Sequence, residues 1–243
     1  MSPEPGRRSG DRPDLAPRIE HALLDPHRGR AAIEACCEEA RHFGFAAVCL
    51  ASRWMAVARE LLPLGGPVRL VSVVGFPFGA VPTAIKRAEA EAAAAAGADE
   101  LDVVPDFGAL ADGDSRAFCN DLAPIVELGL PVKVILEVGR LSAAALELAV
   151  EASIDVGAAF LKTGSGFGPA ATVEQVQQLR QLARGRAAVK AAGGINGLEQ
   201  ALNLVEAGAT RLGTSRGVAL LEALRHGPDR SNGAATEPGA SGR

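Results

Sequence analysis

Short apolar runs of strand length alternate with longer helical patterns along almost the whole chain. The runs are Ile19–Leu23, Ala46–Leu50, Val68–Val74, Glu100–Val104, Val132–Val138, Phe160–Gly164, Ala187–Ala191 and Thr210–Thr214. Several are apolar nearly throughout, as strands buried on both faces of a parallel sheet must be. Helical patterns fill the intervals at about 31–43, 53–62, 83–96, 114–128, 142–156, from a cap near Thr172, 198–207 and 217–226. Gly44 and Gly97 stand where a helix end prefers glycine, Asp114 is a natural N-cap, and Pro124 is placed to bend its helix. Eight such β–α units, roughly 25 residues apart, predict a parallel sheet with crossover helices. Eight is the number that closes a barrel. A doubly wound open sheet is the alternative, but no GxGxxG follows the first strand. The expected fold is therefore α/β, a single (β/α)8 TIM-barrel domain over residues 18–226, with its active site at the C-terminal ends of the strands.

Outside that span, residues 1–17 are rich in Pro, Gly and Arg, and residues 227–243 in Gly, Ser, Pro and Ala. Both are expected to be disordered tails. Arg7-Arg8 has no apolar stretch behind it, so no twin-arginine export signal is expected. The four cysteines, Cys36, Cys37, Cys49 and Cys119, form no CxxC pair and show no zinc spacing with the histidines. The expectation is a cytoplasmic protein with reduced thiols and no metal. A net charge of -4, 4% aromatic residues and no tyrosine argue against nucleic acid as a partner. No apolar run is long enough for a membrane span.

Candidate chemistry enters with the lysines. Of 25 Lys plus Arg, the only lysines are Lys86, Lys133, Lys162 and Lys190, so arginine carries most of the positive charge. Lys133, Lys162 and Lys190 each interrupt an apolar strand run. Arginine stays protonated, whereas a buried lysine can lose its proton and act as nucleophile or base. An amine brought from a pKa of about 10.4 to about 7 gains roughly a thousandfold in reactive fraction. The plain alternative is a lysine stem lying along apolar surface with its head in water. A chain that uses arginine elsewhere but keeps lysine at these three places needs amines there.

Phosphate is the second signal. Ala191-Ala192-Gly193-Gly194-Ile195 follows the seventh strand and Gly213-Thr214-Ser215 the eighth, each before a helix, with Gly164-Ser165-Gly166 after the sixth. Small residues admit a close backbone, and a helix N-terminus offers free N–H groups to an anion. The glycines could equally serve as simple turns between strand and helix.

These motifs together resemble the deoxyribose-phosphate aldolase family of class I, Schiff-base aldolases. The resemblance rests on Ile19-Glu20-His21-Ala22-Leu23-Leu24, Gly44 to Cys49, Val74-Gly75-Phe76-Pro77, Gly97 to Val104 and Lys133 to Glu137. It continues through Leu161-Lys162-Thr163, Gly166-Phe167-Gly168, Val189 to Ile195 and Arg211 to Ser215, in family order. It implies a cofactor-free lyase that reversibly cleaves 2-deoxyribose 5-phosphate to acetaldehyde and glyceraldehyde 3-phosphate, in catabolism. By motif match, Lys162 is the Schiff-base lysine and Lys190 the neighbouring ammonium that eases the proton off it. Asp102 shuttles protons through water with Lys190, and Lys133 is a supporting charge. Cys49, Thr163, Ser165, Gly166, Gly193, Gly194, Gly213, Ser215 and Arg216 line the substrate and phosphate pocket. The resemblance also allows a homodimer.

The chain departs from the family pattern at four places in that pocket. Gly164 and Ser165 stand within a usual Lys-Thr-Ser-Thr-Gly, Asn196 stands where arginine is common, and Arg216 where a second serine is usual. Two alternatives follow. One is a related class I aldolase with another aldehyde acceptor. The other is a catalytically silent barrel that binds a sugar phosphate.

Overall fold

The computed structural model describes residues 14–226, so the expected tails lie outside it except for residues 14–17. Eight parallel strands close into a barrel in simple sequential order, with β1 beside β8. They are β1 (Ile19–Leu23), β2 (Ala47–Ala51), β3 (Arg69–Val74), β4 (Glu100–Val103), β5 (Val132–Ile135), β6 (Phe160–Lys162), β7 (Ala188–Ala192) and β8 (Arg211–Thr214). Nine helices of the described chain surround them: α1 (Arg30–Phe43), α2 (Met55–Leu61), α3 (Thr83–Ala95), α4 (Phe107–Ala111), α5 (Ser115–Val126), α6 (Ala143–Asp155), α7 (Val173–Ala183), α8 (Leu198–Glu206) and α9 (Gly217–His226). This is the (β/α)8 barrel that the alternation predicts.

Local chemistry sets the boundaries. α1 ends where Gly44 takes a left-handed conformation (φ 69°), and α7 begins with a reciprocal capping box between Thr172 and Gln175. Asp114 caps α5 through Ala117 N–H, and Pro124 is accommodated inside that helix. Two strands are shorter than their apolar runs suggest. β5 ends at Ile135 because Glu137 turns left-handed (φ 50°) into a 3-10 turn at Val138–Arg140, and β6 ends at Lys162. α4 has no counterpart in the sequence reading; Asp106 caps it through the N–H groups of Gly108 and Ala109.

Period-two alternation on the strands sends residues to opposite sides. Leu101 and Val103 of β4, Val134 of β5, Leu161 of β6 and Leu212 of β8 join one continuous apolar layer between strands and helices. Leu15, on the segment read as tail, is fully buried in that layer. At typical transfer values each fully buried large aliphatic side chain contributes about 1.5–3 kcal/mol relative to exposure. Lys86 on α3 is also fully buried, its Nζ 2.6 Å from Asp121 on α5, and Asp121 also accepts from Thr83 Oγ1 and Asp106 N–H. The fourth lysine therefore ties helices together outside the barrel, while the other three point inward.

Candidate active site

Barrel interiors are normally filled by branched apolar side chains. Here five strands carry charge on their inward faces instead. Glu20 of β1, Glu100 and Asp102 of β4, Lys133 of β5, Lys162 of β6 and Lys190 of β7 are all buried and converge. Neighbouring strands set the partners side by side: Asp102 is in register with Lys133, and Lys162 with Lys190.

Asp102 is the hub. Its Oδ1 accepts from Lys133 Nζ at 2.9 Å, and its Oδ2 accepts from both Lys162 Nζ at 2.9 Å and Lys190 Nζ at 2.6 Å. Lys190 also bonds Glu20, while Lys133 lies 2.6 Å from Glu100 Oε2 and 3.6 Å from Glu20 Oε1. Arg211 approaches Glu20 and Glu100 at 3.9 and 4.0 Å, and Arg69 reaches Glu100 at 2.6 Å from the exposed N-terminal end of the barrel. Four largely buried cations, Lys133, Lys162, Lys190 and Arg211, thus face three buried carboxylates, an excess of one positive charge.

The electrostatics follow from the partners each group meets. Burial alone would raise the pKa of Asp102, but Lys133, Lys162 and Lys190 outweigh it and hold the carboxyl well below its usual value. Burial pulls Lys190 toward the neutral amine, yet Asp102 and Glu20 reverse the sign and keep it an ammonium. Lys133 behaves alike, with burial opposed by Asp102, Glu20 and Glu100. Cys49 sits with its Sγ 3.9 Å from Asp102 Oδ2; burial, then the Asp102 charge, push its thiol up to about 11. It is a small protonated neighbour, which fits a wall more than a nucleophile.

Above the hub a cavity of about 450 Å³ opens at the C-terminal ends of the strands. Lys162, Lys190 and Cys49 lie at its base, and Ser165, Gly166, Gly193, Gly194, Gly213 and Ser215 line it, all expected from the sequence. Two expected residues are placed otherwise. Thr163 is buried and exchanges hydrogen bonds with the Ala192 backbone in both directions at 2.9 Å, locking the β6 loop to the β7 loop. Arg216 is exposed and absent from the cavity lining; its backbone N–H donates to Thr214 Oγ1. Gly213 has a steric reason: a Cβ there would come within 3.0 Å of Lys190 Cε and 2.9 Å of Ala192 Cβ.

Sequence reasoning assigned no role to Glu20, Glu100, Arg211 or Arg28, and read Thr214 only as part of the phosphate loop after the eighth strand. Glu100 precedes Asp102 by two residues and so shares its inward face, a signal that strand periodicity carries. Thr214 Oγ1 donates to Ile195 O at 2.8 Å and joins the β8 loop to the β7 loop. Arg28 lines the cavity from the loop after β1 and pairs at its rim with Asp25 at 3.2 Å. Apart from Lys162 and Lys190 it is the only side-chain cation on the described lining.

No family model matches the chain, but related proteins do. It is 48% identical over 210 residues to a deoxyribose-phosphate aldolase of Thermosynechococcus vestitus, covering 86% of this chain and 96% of that one. The chain belongs to the deoxyribose-phosphate aldolase family. A Cyanothece aldolase of the same name is 50% identical over 209 residues, 86% of this chain and 91% of its own. Among solved structures, the deoxyribose phosphate aldolase of Aeropyrum pernix, described as tetrameric, superposes with a TM-score of 0.79 at 34% identity, covering 87% of this chain and 91% of that one. Family membership makes the chain a lyase, and its cavity is the place to look for the chemistry.

Proposed function

We propose that the chain is a class I aldolase that reversibly cleaves 2-deoxyribose 5-phosphate to acetaldehyde and glyceraldehyde 3-phosphate through an imine on Lys162. The observation that carries this reading is the shared oxygen. Asp102 Oδ2 accepts from both Lys162 and Lys190 at the floor of a cavity that both lysines line. Imine formation needs one neutral amine beside one proton donor. Of the three lysines Lys162 is bound by the fewest carboxylates, Asp102 alone, which supports its role as the attacking amine. Lys190 and Lys133, each held as ammonium by two or more carboxylates, stay charged.

The steps then balance as follows. The Lys162 amine adds to the aldehyde carbon C1 of the open-chain sugar phosphate, and water leaves to give a protonated imine. A base takes the proton of the C3 hydroxyl, the C2–C3 bond breaks, and its electron pair enters the imine to form an enamine. Glyceraldehyde 3-phosphate departs. The enamine takes a proton at C2, and water releases acetaldehyde and the free amine. Asp102, ionised and coupled to the Lys190 ammonium, would accept and return those protons through water. The phosphate would sit where Gly193, Gly194, Gly213 and Ser215 bring backbone close to the starts of α8 and α9. Arg28 would leave Asp25 to meet it, as the cation on the cavity lining besides Lys162 and Lys190.

Borohydride reduction in the presence of 2-deoxyribose 5-phosphate, followed by peptide mass mapping, tests the reading. A stable adduct on Lys162 supports it. An adduct with acetaldehyde but not with the sugar phosphate points to another acceptor, and no adduct with either overturns the imine.

A further inference from the structure

A second cavity of about 440 Å³ opens beside the first on the same face of the barrel. It lies over the loops after β3, β4, β5 and β6, the side of the barrel away from the β7 and β8 glycine loops. Its walls are apolar, built chiefly from Phe78, Phe107, Leu110, Leu141 and Phe167. Its volume falls within the roughly 300–1,000 Å³ of small-molecule sites, and its make-up, apolar walls with a few polar groups, is theirs too. Phe78 and Phe167 remain 70% and 56% exposed, which is unusual for rings placed 6.4 Å apart at a cavity mouth.

Two charged groups face this space, and they differ in what they have left to offer. Glu137 is committed to the fold. Its Oε1 accepts from Ser165 N–H at 2.6 Å, and its Oε2 lies so close over Gly168 that a Cβ there would stand 2.0 Å from it. Arg140 is uncommitted: it is exposed, lines the cavity, and its guanidinium has no ion-pair or hydrogen-bond partner among the described residues. A planar five-donor group beside aromatic walls selects a carboxylate attached to a flat apolar body.

We propose that this cavity is a second ligand site, separate from the imine lysine, that binds aromatic monocarboxylates with the ring among Phe78, Phe107 and Phe167 and the carboxylate on Arg140. Ser165 and Phe167 line both cavities. The ligand therefore presses on the β6 loop at Ser165, three residues beyond Lys162, and its binding couples to that of substrate. By linkage the coupling is reciprocal: each ligand changes the affinity of the other by the same factor.

The probe is 1-naphthoate, titrated into the full-length protein by calorimetry. One saturable site is expected, bound at least about tenfold more tightly than the uncharged 1-naphthylmethanol. Arg140→Gln is expected to weaken 1-naphthoate by about tenfold and leave the alcohol unchanged. Ala145→Trp, which fills the cavity from α6, is expected to abolish binding, with circular dichroism confirming the fold. Binding should persist in protein whose Lys162 has been reduced onto acetaldehyde or replaced by methionine. Three results would overturn the proposal: no saturable binding, equal binding by wild type and Arg140→Gln, or loss of binding when 2-deoxyribose 5-phosphate fills the first cavity competitively. The binding measurement needs no turnover, so its failure leaves the aldol reading standing, and the reverse holds.

Discussion

The two halves of the barrel interior are built from opposite materials. On β2 and β3 the inward residues are Ala47, Cys49, Val71 and Val73, a small buried cluster with Ala22, Leu24 and Phe76 against it. On β4 to β7 they are Glu100, Asp102, Lys133, Lys162 and Lys190. Both halves satisfy the same backbone ladder and back onto the same apolar layer, so the fold does not require the difference. Buried ion networks give little net stability over an apolar packing of equal volume. A charged half kept at that disadvantage is kept for chemistry, and the apolar half serves it by lowering the local dielectric and holding Cys49 against Asp102.

The largest effect expected from breaking this contrast is on turnover. Lys162→Met replaces the amine by an apolar chain of similar length and should lower kcat by on the order of 10⁴-fold or more, as removal of a covalent nucleophile does. Its fold should be intact, because Asp102 keeps Lys133 and Lys190 as partners. Steady-state kinetics with circular dichroism check both halves of that statement. Unaltered turnover would return the chain to the silent-barrel reading.

Asp102→Asn should strike stability as well as turnover. It strips the only carboxylate that touches all three lysines, and removal of one partner from a buried ion network costs about 3–5 kcal/mol. Urea unfolding measures it. The pH profile gives an independent check. Asp102 and Glu100 have folded pKa values below their ordinary ones, so their contribution is complete above about pH 4 and is lost as pH falls through the folded values. Lys133 and Lys190 have raised values, so theirs is complete below about pH 10 and lost as pH climbs through the folded values. The wild type should therefore hold a plateau of melting temperature between those limits, and Asp102→Asn should flatten its acid limb. In the apolar half, Val73→Ala should cost only about 1–3 kcal/mol from lost burial and a small cavity, with no change in the pH limbs.

The same contrast explains what the sequence disclosed. The eight strands were legible because parallel strands buried on both faces advertise themselves as apolar runs, and Lys133, Lys162 and Lys190 were legible as interruptions of those runs. The early end of β5 was not. Glu137 adopts its left-handed turn beside a contact with Ser165 N–H, 28 residues ahead, and the nearest glycine, Gly139, comes only two residues later. α4 was missed for the opposite reason: it spans five residues, too few for a helical period, though Asp106 two residues before Gly108 was an available cap signal. Glu20 and Arg211 meet only when β8 closes onto β1, so their share of the charge balance belongs to topology rather than to either motif.

Arg28 extends the contrast to the rim and gives the smallest expected effect. It is exposed and already paired with Asp25, so moving it to a phosphate exchanges one solvent-screened partner for another. Arg28→Gln should raise KM for 2-deoxyribose 5-phosphate by about tenfold, close to 1.4 kcal/mol, and leave kcat within a factor of about two. The KM for unphosphorylated 2-deoxyribose should not move, which separates loss of a phosphate contact from a general distortion of the β1 loop. Arg216→Gln supplies the control from the other side of the cavity. Its side chain is outside the lining, so it should leave both constants unchanged; a rise in KM there instead would move the phosphate toward the start of α9.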